Sequence, residues 1–87
     1  MAQVYLPRSL LNLFPAAERR PVVEAATVDE LIGRLDARWP GMRARLCEAG
    51  PRLREHINVF VDGDQASLDT PVRGDSTIHV IPAVSGG

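Results

Sequence analysis

The sequence predicts an α+β domain in which a sheet of mixed strand direction wraps over one main helix. Two observations carry this prediction: one well-capped amphipathic segment lies near the middle of the chain, and strand-like runs lie on both sides of it. A helix with a single apolar stripe must bury that stripe on something flat. A chain of 87 residues buries only about 60–65% of its unfolded surface, so we expect one domain spanning residues 1–87 with a single core.

The amino-terminal region predicts two strands. Residues 3–6 alternate polar and apolar side chains, and Pro7 ends that first strand because it cannot continue a central ladder. Residues 8–18 contain leucines without a sustained period, and we expect a loop that tucks them inward. Residues 21–25 predict a second strand, paired with the first as a hairpin.

The main helix begins at a capping box. Thr27 can accept the Glu30 backbone N–H, while the Glu30 carboxylate can reach back to the Thr27 N–H. Pro40-Gly41 ends the helix. Gly33 lies inside it, where we expect it to let a neighbouring element approach closely. The apolar stripe consists of Val28, Leu31, Ile32, Leu35 and Trp39.

The second half of the chain predicts a short helix and three strands. Residues 42–49 form the helical piece, and residues 56–61 read as a β-branched, alternating strand. Asp62-Gly63 is a dipeptide typical of hairpin turns, so residues 66–68 are expected to form a short returning strand. Residues 76–81 predict the final strand.

Composition excludes several function classes. Ten basic and eleven acidic residues leave a net charge of −1, which argues against a nucleic-acid footprint or an anionic-lipid anchor. The single cysteine, Cys47, excludes an internal disulfide framework, a four-cysteine zinc site and an iron–sulfur cluster. No segment resembles a signal peptide or a membrane span, so we expect a cytoplasmic protein. All ten basic residues are arginines, so no lysine is available for isopeptide bonding between copies of the chain.

The remaining reactive side chains favour structural roles. His56 and His79 have no acidic or cysteine partner at ligand spacing, so we expect no metal site and no bound cofactor. Cys47 favours packing over a thiol relay. Four arginines near Gly50-Pro51 either contact an acidic partner or, as we favour, form a solvated face. They are Arg43, Arg45, Arg52 and Arg54. Four aspartates lie at predicted turns, where local backbone hydrogen bonds explain them better than a calcium site does: Asp62, Asp64, Asp69 and Asp75.

The end of the chain carries the strongest functional signal. Gly86-Gly87 follows the last predicted strand closely, and a strand locked into a sheet would present residues 83–87 at a fixed place while leaving them flexible. Pro82 lacks an N–H and is expected to release this tail from the sheet. Gly86 has no Cβ and can thread a narrow tunnel. The terminal carboxylate of Gly87 can therefore serve as a substrate.

These residues resemble a known family. Gly74-Asp75, Ile78, Val80 and the run Ile-Pro-Ala-Val-Ser-Gly-Gly at residues 81–87 resemble the carboxy-terminal signature of the MoaD/ThiS family of ubiquitin-like sulfur carriers. The order of elements resembles the β-grasp fold of that family. Residues 56–63, together with the tail, resemble the actinobacterial cysteine-biosynthesis carriers of CysO type more than the small subunit of molybdopterin synthase.

The resemblance implies that the chain is a substrate and shuttle rather than an enzyme. An activating enzyme would use MgATP to adenylate Gly87, and a sulfur donor would replace AMP to leave a thiocarboxylate. A synthase would then accept the sulfur in molybdopterin, cysteine, thiamine or specialised-metabolite synthesis, and the carrier alone would be a monomer. Two alternatives stay open: a ubiquitin-like modifier joined to a target lysine through the same glycine, and a β-grasp interaction module whose glycines are chemically idle.

The body of the domain must also contact the partner. Ordering five tail residues costs about 5–10 kcal/mol of backbone entropy, comparable to the free energy of a micromolar complex. Strand alternation predicts that Phe60, His79 and Ile81, with Tyr5, form a half-apolar patch on the open face of the sheet, and that the alternate residues face the helix. Pro82, Val84 and Ser85 complete the predicted partner-binding residues. The alternatives are a sheet buried on both faces and scattered exposed apolar residues.

Overall fold

A computed structural model describes residues 1–82, which form a mixed five-stranded sheet, a separate two-stranded ribbon and three helices. The helices are α1 (Arg8–Leu13), α2 (Val28–Arg38) and α3 (Met42–Leu46). The strands are β1 (Ala2–Tyr5), β2 (Val22–Val23), β3 (Cys47–Glu48), β4 (Arg52–Leu53), β5 (Ile57–Val61), β6 (Asp64–Ala66) and β7 (Thr77–Pro82).

Strand β7 occupies the centre of the main sheet, whose order is β2-β1-β7-β5-β6. It pairs parallel with β1 and antiparallel with β5. The outer pairs, β1 with β2 and β5 with β6, are antiparallel. Because the parallel pair joins the first and last strands, it requires a long crossover, which the intervening helices supply. The predicted mixed sheet and the hairpin pairing of the first two strands are both confirmed.

Helix α2 begins at the predicted cap. The Thr27 hydroxyl accepts the Glu30 N–H at 3.2 Å, and the Glu30 carboxylate accepts the Ala26 N–H at 3.2 Å, one residue before the predicted Thr27 donor. Four members of the predicted stripe are buried and Trp39, at the carboxy-terminal cap, is half-buried. The Thr27 cap and the apolar stripe are thus confirmed, but the Glu30 carboxylate bonds the N–H of Ala26 instead of that of Thr27.

The core lies between α2 and the inward face of the sheet. Alternate residues of β5 and β7 are at most 9% exposed, as strand alternation predicts, and they pack against the buried stripe of α2. These strand residues are Ile57, Val59, Val61, Ile78 and Val80. Each such side chain contributes about 1.5–3 kcal/mol when it leaves water.

The prediction of a loop over residues 8–18 is wrong for its first part, which is helix α1. The Pro7 carbonyl accepts the N–H groups of Leu10 and Leu11 at 3.1 and 3.2 Å, which starts the helix. Only Leu10 is buried in this helix, and Leu13 is 51% exposed. Six residues make less than two turns, so a helical period could not show in the sequence.

The predicted helix over residues 42–49 is too long. Helix α3 ends at Leu46, and Cys47 takes an extended conformation. Strand β3 then pairs antiparallel with β4, with Cys47 opposite Leu53 and Glu48 opposite Arg52. Only three residues separate β3 from β4, and the chain reverses direction at Gly50-Pro51 among them, so the two strands are adjacent.

The returning strand β6 begins two residues before the predicted range of 66–68.

Gly33 makes room for an arginine of α3. A Cβ at this position would lie 3.2 Å from Nη2 of Arg43. That guanidinium donates from Nη1 to the Asp29 carboxylate at 2.9 Å and from Nη2 to the Asp29 carbonyl at 2.8 Å. The expected close approach at Gly33 is therefore made by a side chain that ties α3 to the first turn of α2.

The turn between β5 and β6 also anchors the start of β7. Asp62 and Gly63 both have positive φ, 51° and 90°, as the predicted two-residue hairpin turn requires. The Asp62 carboxylate accepts the Thr77 N–H at 2.9 Å and the Ser76 hydroxyl at 3.0 Å. The expectation of purely local aspartate bonds is thus wrong for Asp62, whose partners lie 14 and 15 residues away.

Within residues 1–82, no helix is long and apolar enough to cross a membrane. In the same part of the chain, no three histidine, cysteine, aspartate or glutamate side chains lie close enough together to hold a metal ion.

Candidate functional site at the end of β7 and the outer sheet face

The predicted tail residues Val84, Ser85, Gly86 and Gly87 lie outside the described residues, of which Pro82 is the last. Strand β7 remains paired up to that point, because Pro82 lies opposite Ile57 of β5. It extends one residue beyond the predicted range of 76–81. Pro82 is half-buried and, by alternation, lies on the side of Val80. The described part of β7 therefore ends at Pro82, which is still paired with β5.

The opposite side of β7 forms the outer-face patch, which consists of Tyr5, Phe60, His79 and Ile81. His79 lies opposite Tyr5 of β1 and opposite Phe60 of β5, so three rings form a row across adjacent strands. The rings of Tyr5 and His79 stack with centroids 4.7 Å apart and an interplanar angle of 9°. Ile81 is 47% exposed and lies opposite Asn58. The predicted patch residues are thus brought together.

The outer face is open to solvent at these positions. His79 and Ile81 are exposed, and Tyr5 and Phe60 are half-buried. The Asn58 side chain accepts a hydrogen bond from Gln65 at 3.1 Å, which gives the patch a polar border toward β6. The alternative of a sheet covered on both faces is therefore excluded for the described residues, and an apolar centre with a polar edge is typical of a contact surface.

Arg20 adds a cation to one end of the aromatic row, and the sequence carried no signal for it. Its guanidinium carbon lies 5.1 Å from the centroid of the Tyr5 ring. The contact arises because pairing continues beyond β2: the Val4 N–H bonds the Pro21 carbonyl at 2.9 Å and the Leu6 N–H bonds the Arg19 carbonyl at 3.1 Å. This register, set by tertiary pairing, places Arg20 beside Tyr5, where a cation over a ring is favourable.

Cys47 lies in strand β3 and is buried with 8% exposure. Burial raises the pKa of its thiol, because desolvation disfavours the thiolate more than the nearby arginines favour it. A protonated, buried thiol is a poor nucleophile. The packing role predicted for Cys47 therefore fits its surroundings, although the element differs from the predicted helix.

Comparison with known proteins identifies the family. The model of the ThiS family matches residues 10–87. No curated protein sequence matches the chain. Among solved structures, a chain of the Amycolatopsis orientalis BexX/CysO complex is 30% identical with a TM-score of 0.87, and the match covers 100% of both chains.

Two further structures share the architecture. SAMP1 from Haloferax volcanii is 26% identical with a TM-score of 0.81, over 99% of this chain and 98% of that one. CysO from Mycobacterium tuberculosis is 20% identical with a TM-score of 0.85, over 97% of this chain and 100% of that one, and this likeness shows the fold alone. The predicted resemblance to the MoaD/ThiS carriers, and to CysO among them, is confirmed. The chain belongs to the ThiS family, whose members are small ubiquitin-like carriers with the β-grasp fold and are not themselves enzymes.

Proposed function

We propose that this protein is a sulfur carrier whose carboxy-terminal Gly87 is adenylated and then converted to a thiocarboxylate. The observation that carries the proposal is the position of β7, which is paired on both sides and held by β5 through Pro82. Residues 83–87 therefore start from a rigid point. Five extended residues reach about 17 Å, enough to enter the active-site cleft of a partner while the body stays outside.

The proposed chemistry needs two steps, both performed by the partner enzyme. A carboxylate is a poor electrophile because its charge is delocalised over two oxygens. An oxygen of the Gly87 carboxylate attacks the α-phosphorus of ATP and pyrophosphate leaves, so that the acyl carbon gains AMP as a leaving group. A sulfur nucleophile then attacks that carbon and AMP departs. Magnesium bound by the enzyme stabilises the phosphate charge, and the carrier itself binds neither ATP nor metal.

The proposed partners are an adenylating, sulfur-transferring enzyme and a sulfur-accepting synthase. The outer-face patch would dock the body of the carrier, because the entropy lost by five ordered tail residues, about 5–10 kcal/mol, needs additional contacts to offset it. A related chain occurs in a BexX/CysO complex, which supports assembly with a partner protein. The CysO resemblance favours cysteine synthesis over molybdopterin, thiamine or specialised-metabolite synthesis as the destination of the sulfur.

Intact mass spectrometry tests the proposal. The carrier is incubated with the adenylating enzyme of its own organism, MgATP and a sulfide source. We expect a mass increase equal to the replacement of one oxygen by one sulfur. One residue added after Gly87 should abolish the change, since it moves the reacting carboxylate beyond the site. An unchanged wild-type mass, or a reaction of the extended chain, would overturn the proposal.

A second candidate function is protein modification through the same glycine. The likeness to SAMP1, which is a small archaeal modifier protein, supports this candidate. In that case the activated Gly87 acylates a lysine of a target protein, and the same experiment with added cell extract would give adducts of higher mass. The chain has ten arginines and no lysine, so such adducts would not include lysine-linked chains of the carrier itself.

The penultimate glycine is predicted to be essential for activation and dispensable for folding. A methyl group at Gly86 would obstruct a narrow tunnel, so Gly86→Ala should slow adenylation about 10²-fold. The matched control is Gly74→Ala, because a Cβ at Gly74 meets only an ordinary contact, 3.7 Å from the Met1 nitrogen. Pyrophosphate release measures the rate, and equal rates for both variants would contradict the assignment.

A further inference from the structure

Four arginines around the β3–β4 ribbon divide into two groups with different surroundings. Arg43 pairs with Asp29 at 2.9 Å, and Arg52 pairs with Glu48 at 2.9 Å. Arg45 and Arg54 make no ion pair with any residue of the described part of the chain. The interpretation of all four as one solvated face is therefore too coarse.

Arg45 and Arg54 line one cleft together with His56. The cleft has a volume of about 570 Å³, and Gly41 and Ala44 complete its lining, so no acidic side chain of residues 1–82 lines it. Nε of Arg54 donates to the Ala44 carbonyl at 2.9 Å, which fixes the direction of that guanidinium. Two like charges in one cleft repel each other, and an anion placed between them would relieve that repulsion.

The cleft lies at the end of the β5–β7 pair where Pro82, the last described residue, is found. His56 directly precedes β5, and the first residue of β5, Ile57, lies opposite Pro82. The antiparallel register thus places the cleft at the same end of the sheet as the start of residues 83–87. A protein that takes the tail into its own active site must rest against the surface around this point.

We propose that this tail-root cleft, formed by Arg45, Arg54 and His56, receives carboxylate side chains on the rim of the protein that takes up the tail. The inference rests on the proposed function and specifies the chemistry of its partner surface. Guanidinium groups bind carboxylates in a bidentate geometry, and such rim charges raise the association rate and select the partner. The carrier's own carboxylate is not the occupant during activation, because it lies in the partner's active site at that moment.

The test is a charge reversal at Arg45, which is exposed and whose side chain makes no hydrogen bond in the described part of the chain. Arg45→Glu should raise the KM of the adenylating enzyme for the carrier about tenfold at low salt, with kcat unchanged. The difference should shrink as ionic strength rises. Arg54→Gln should have a smaller effect in the same direction.

Arg73→Glu is the matched control. It makes the same change in net charge on an exposed arginine just before β7, at the opposite end of that strand from the cleft. An unchanged KM for Arg45→Glu, or an equal rise in KM for Arg73→Glu, would overturn this inference. Adenylation of the wild type in the same experiment would still support the proposed function. A lower KM for Arg45→Glu would also overturn it and would indicate that the cleft holds the chain's own carboxylate. No adenylation of the wild type would overturn the proposed function together with this inference.

Discussion

At the scale of single residues, Asp62 connects a hairpin turn to the strand that carries the tail. Its carboxylate accepts the Thr77 N–H and the Ser76 hydroxyl, and its own N–H bonds the Thr77 carbonyl at 2.9 Å. The Ser76 hydroxyl in turn accepts the Arg73 N–H at 2.9 Å. These bonds fix the first residues of β7 relative to β5 and thereby set the register on which the position of Pro82 depends.

These hydrogen bonds, which we call the Asp62 clamp, predict a pH-dependent contribution of Asp62 to the free energy of unfolding. The Thr77 N–H, and then the Ser76 hydroxyl, lower the pKa of the Asp62 carboxyl below its ordinary value. The unfolded chain therefore takes up the proton at a higher pH than the folded chain. The stabilisation is present above the unfolded pKa, about 3.9, and is lost as pH falls through the lower folded value.

Urea denaturation of the wild type and Asp62→Asn between pH 7 and pH 3 measures this effect. We expect the wild type to be the more stable at pH 7 and the difference to shrink toward pH 3. Asp64→Asn, in the adjacent strand β6, is the control, because its carboxylate makes no hydrogen bond with the described residues. A difference between wild type and Asp62→Asn that stays constant with pH would refute the clamp.

At the scale of elements, helix α2 organises the rest of the fold. Its amino terminus is capped by Thr27, and its first turn also receives Arg43 from α3. The N–H groups of Val28 and Asp29 are satisfied by the carbonyls of Thr70 and Leu68, at 3.0 and 2.8 Å. The start of α2 is thus bonded both to its own cap and to the loop before β7.

Replacing the cap should cost a measurable part of the stability. Thr27→Ala removes the acceptor for the Glu30 N–H and should lower the free energy of unfolding by about 1 kcal/mol. Thr27→Ser keeps a hydroxyl acceptor and should remain within a few tenths of a kcal/mol of the wild type. Chemical denaturation measures both, and equal losses would show that the methyl packing of Thr27, and not its hydroxyl, stabilises the helix.

At the scale of the whole molecule, the two faces of the sheet have different surroundings. The inward face, covered by α2, supplies the core, and the outward face leaves Ile81 and His79 exposed next to the end of β7. Changes on the outward face can therefore alter partner binding without a large effect on folding. This separation makes the proposed docking surface open to direct test.

Ile81→Asp is predicted to impair docking while the fold remains intact. Its side chain is 47% exposed, so the free energy of unfolding should change by about 0.5 kcal/mol or less. The KM of the adenylating enzyme for the carrier should rise about tenfold, as expected when an apolar contact at an interface is lost.

Val22→Asp is the control for this variant. Val22 is also an exposed apolar residue, 38% exposed, but it lies on β2, two strands from β7 in the sheet. The KM of the adenylating enzyme for the Val22→Asp carrier should stay close to the wild-type value. Equal KM values for both variants would show that the outer-face patch does not contact the enzyme.

Signals that span a few residues were sufficient to predict much of this protein. The cap at Thr27, the apolar stripe of α2, the alternation in β5 and β7 and the Asp62-Gly63 turn each depend on neighbouring residues, whose chemistry the chain order displays directly. Helix α1 and the β3–β4 ribbon were missed because each is too short to show a period. Their conformations depend on contacts with the rest of the fold.

The sequence by itself determined the family, the mixed sheet over one helix and the division of β5 and β7 into an inward and an outward face. Only the tertiary structure decided which distant groups meet: Asp62 with Thr77, Arg20 with Tyr5, and Arg45 with Arg54 and His56 in one cleft. The physical reason is that periodicity and capping act over one or two turns of chain. Contacts between distant residues depend instead on strand register and crossover geometry, which arise only when the whole chain closes around its core.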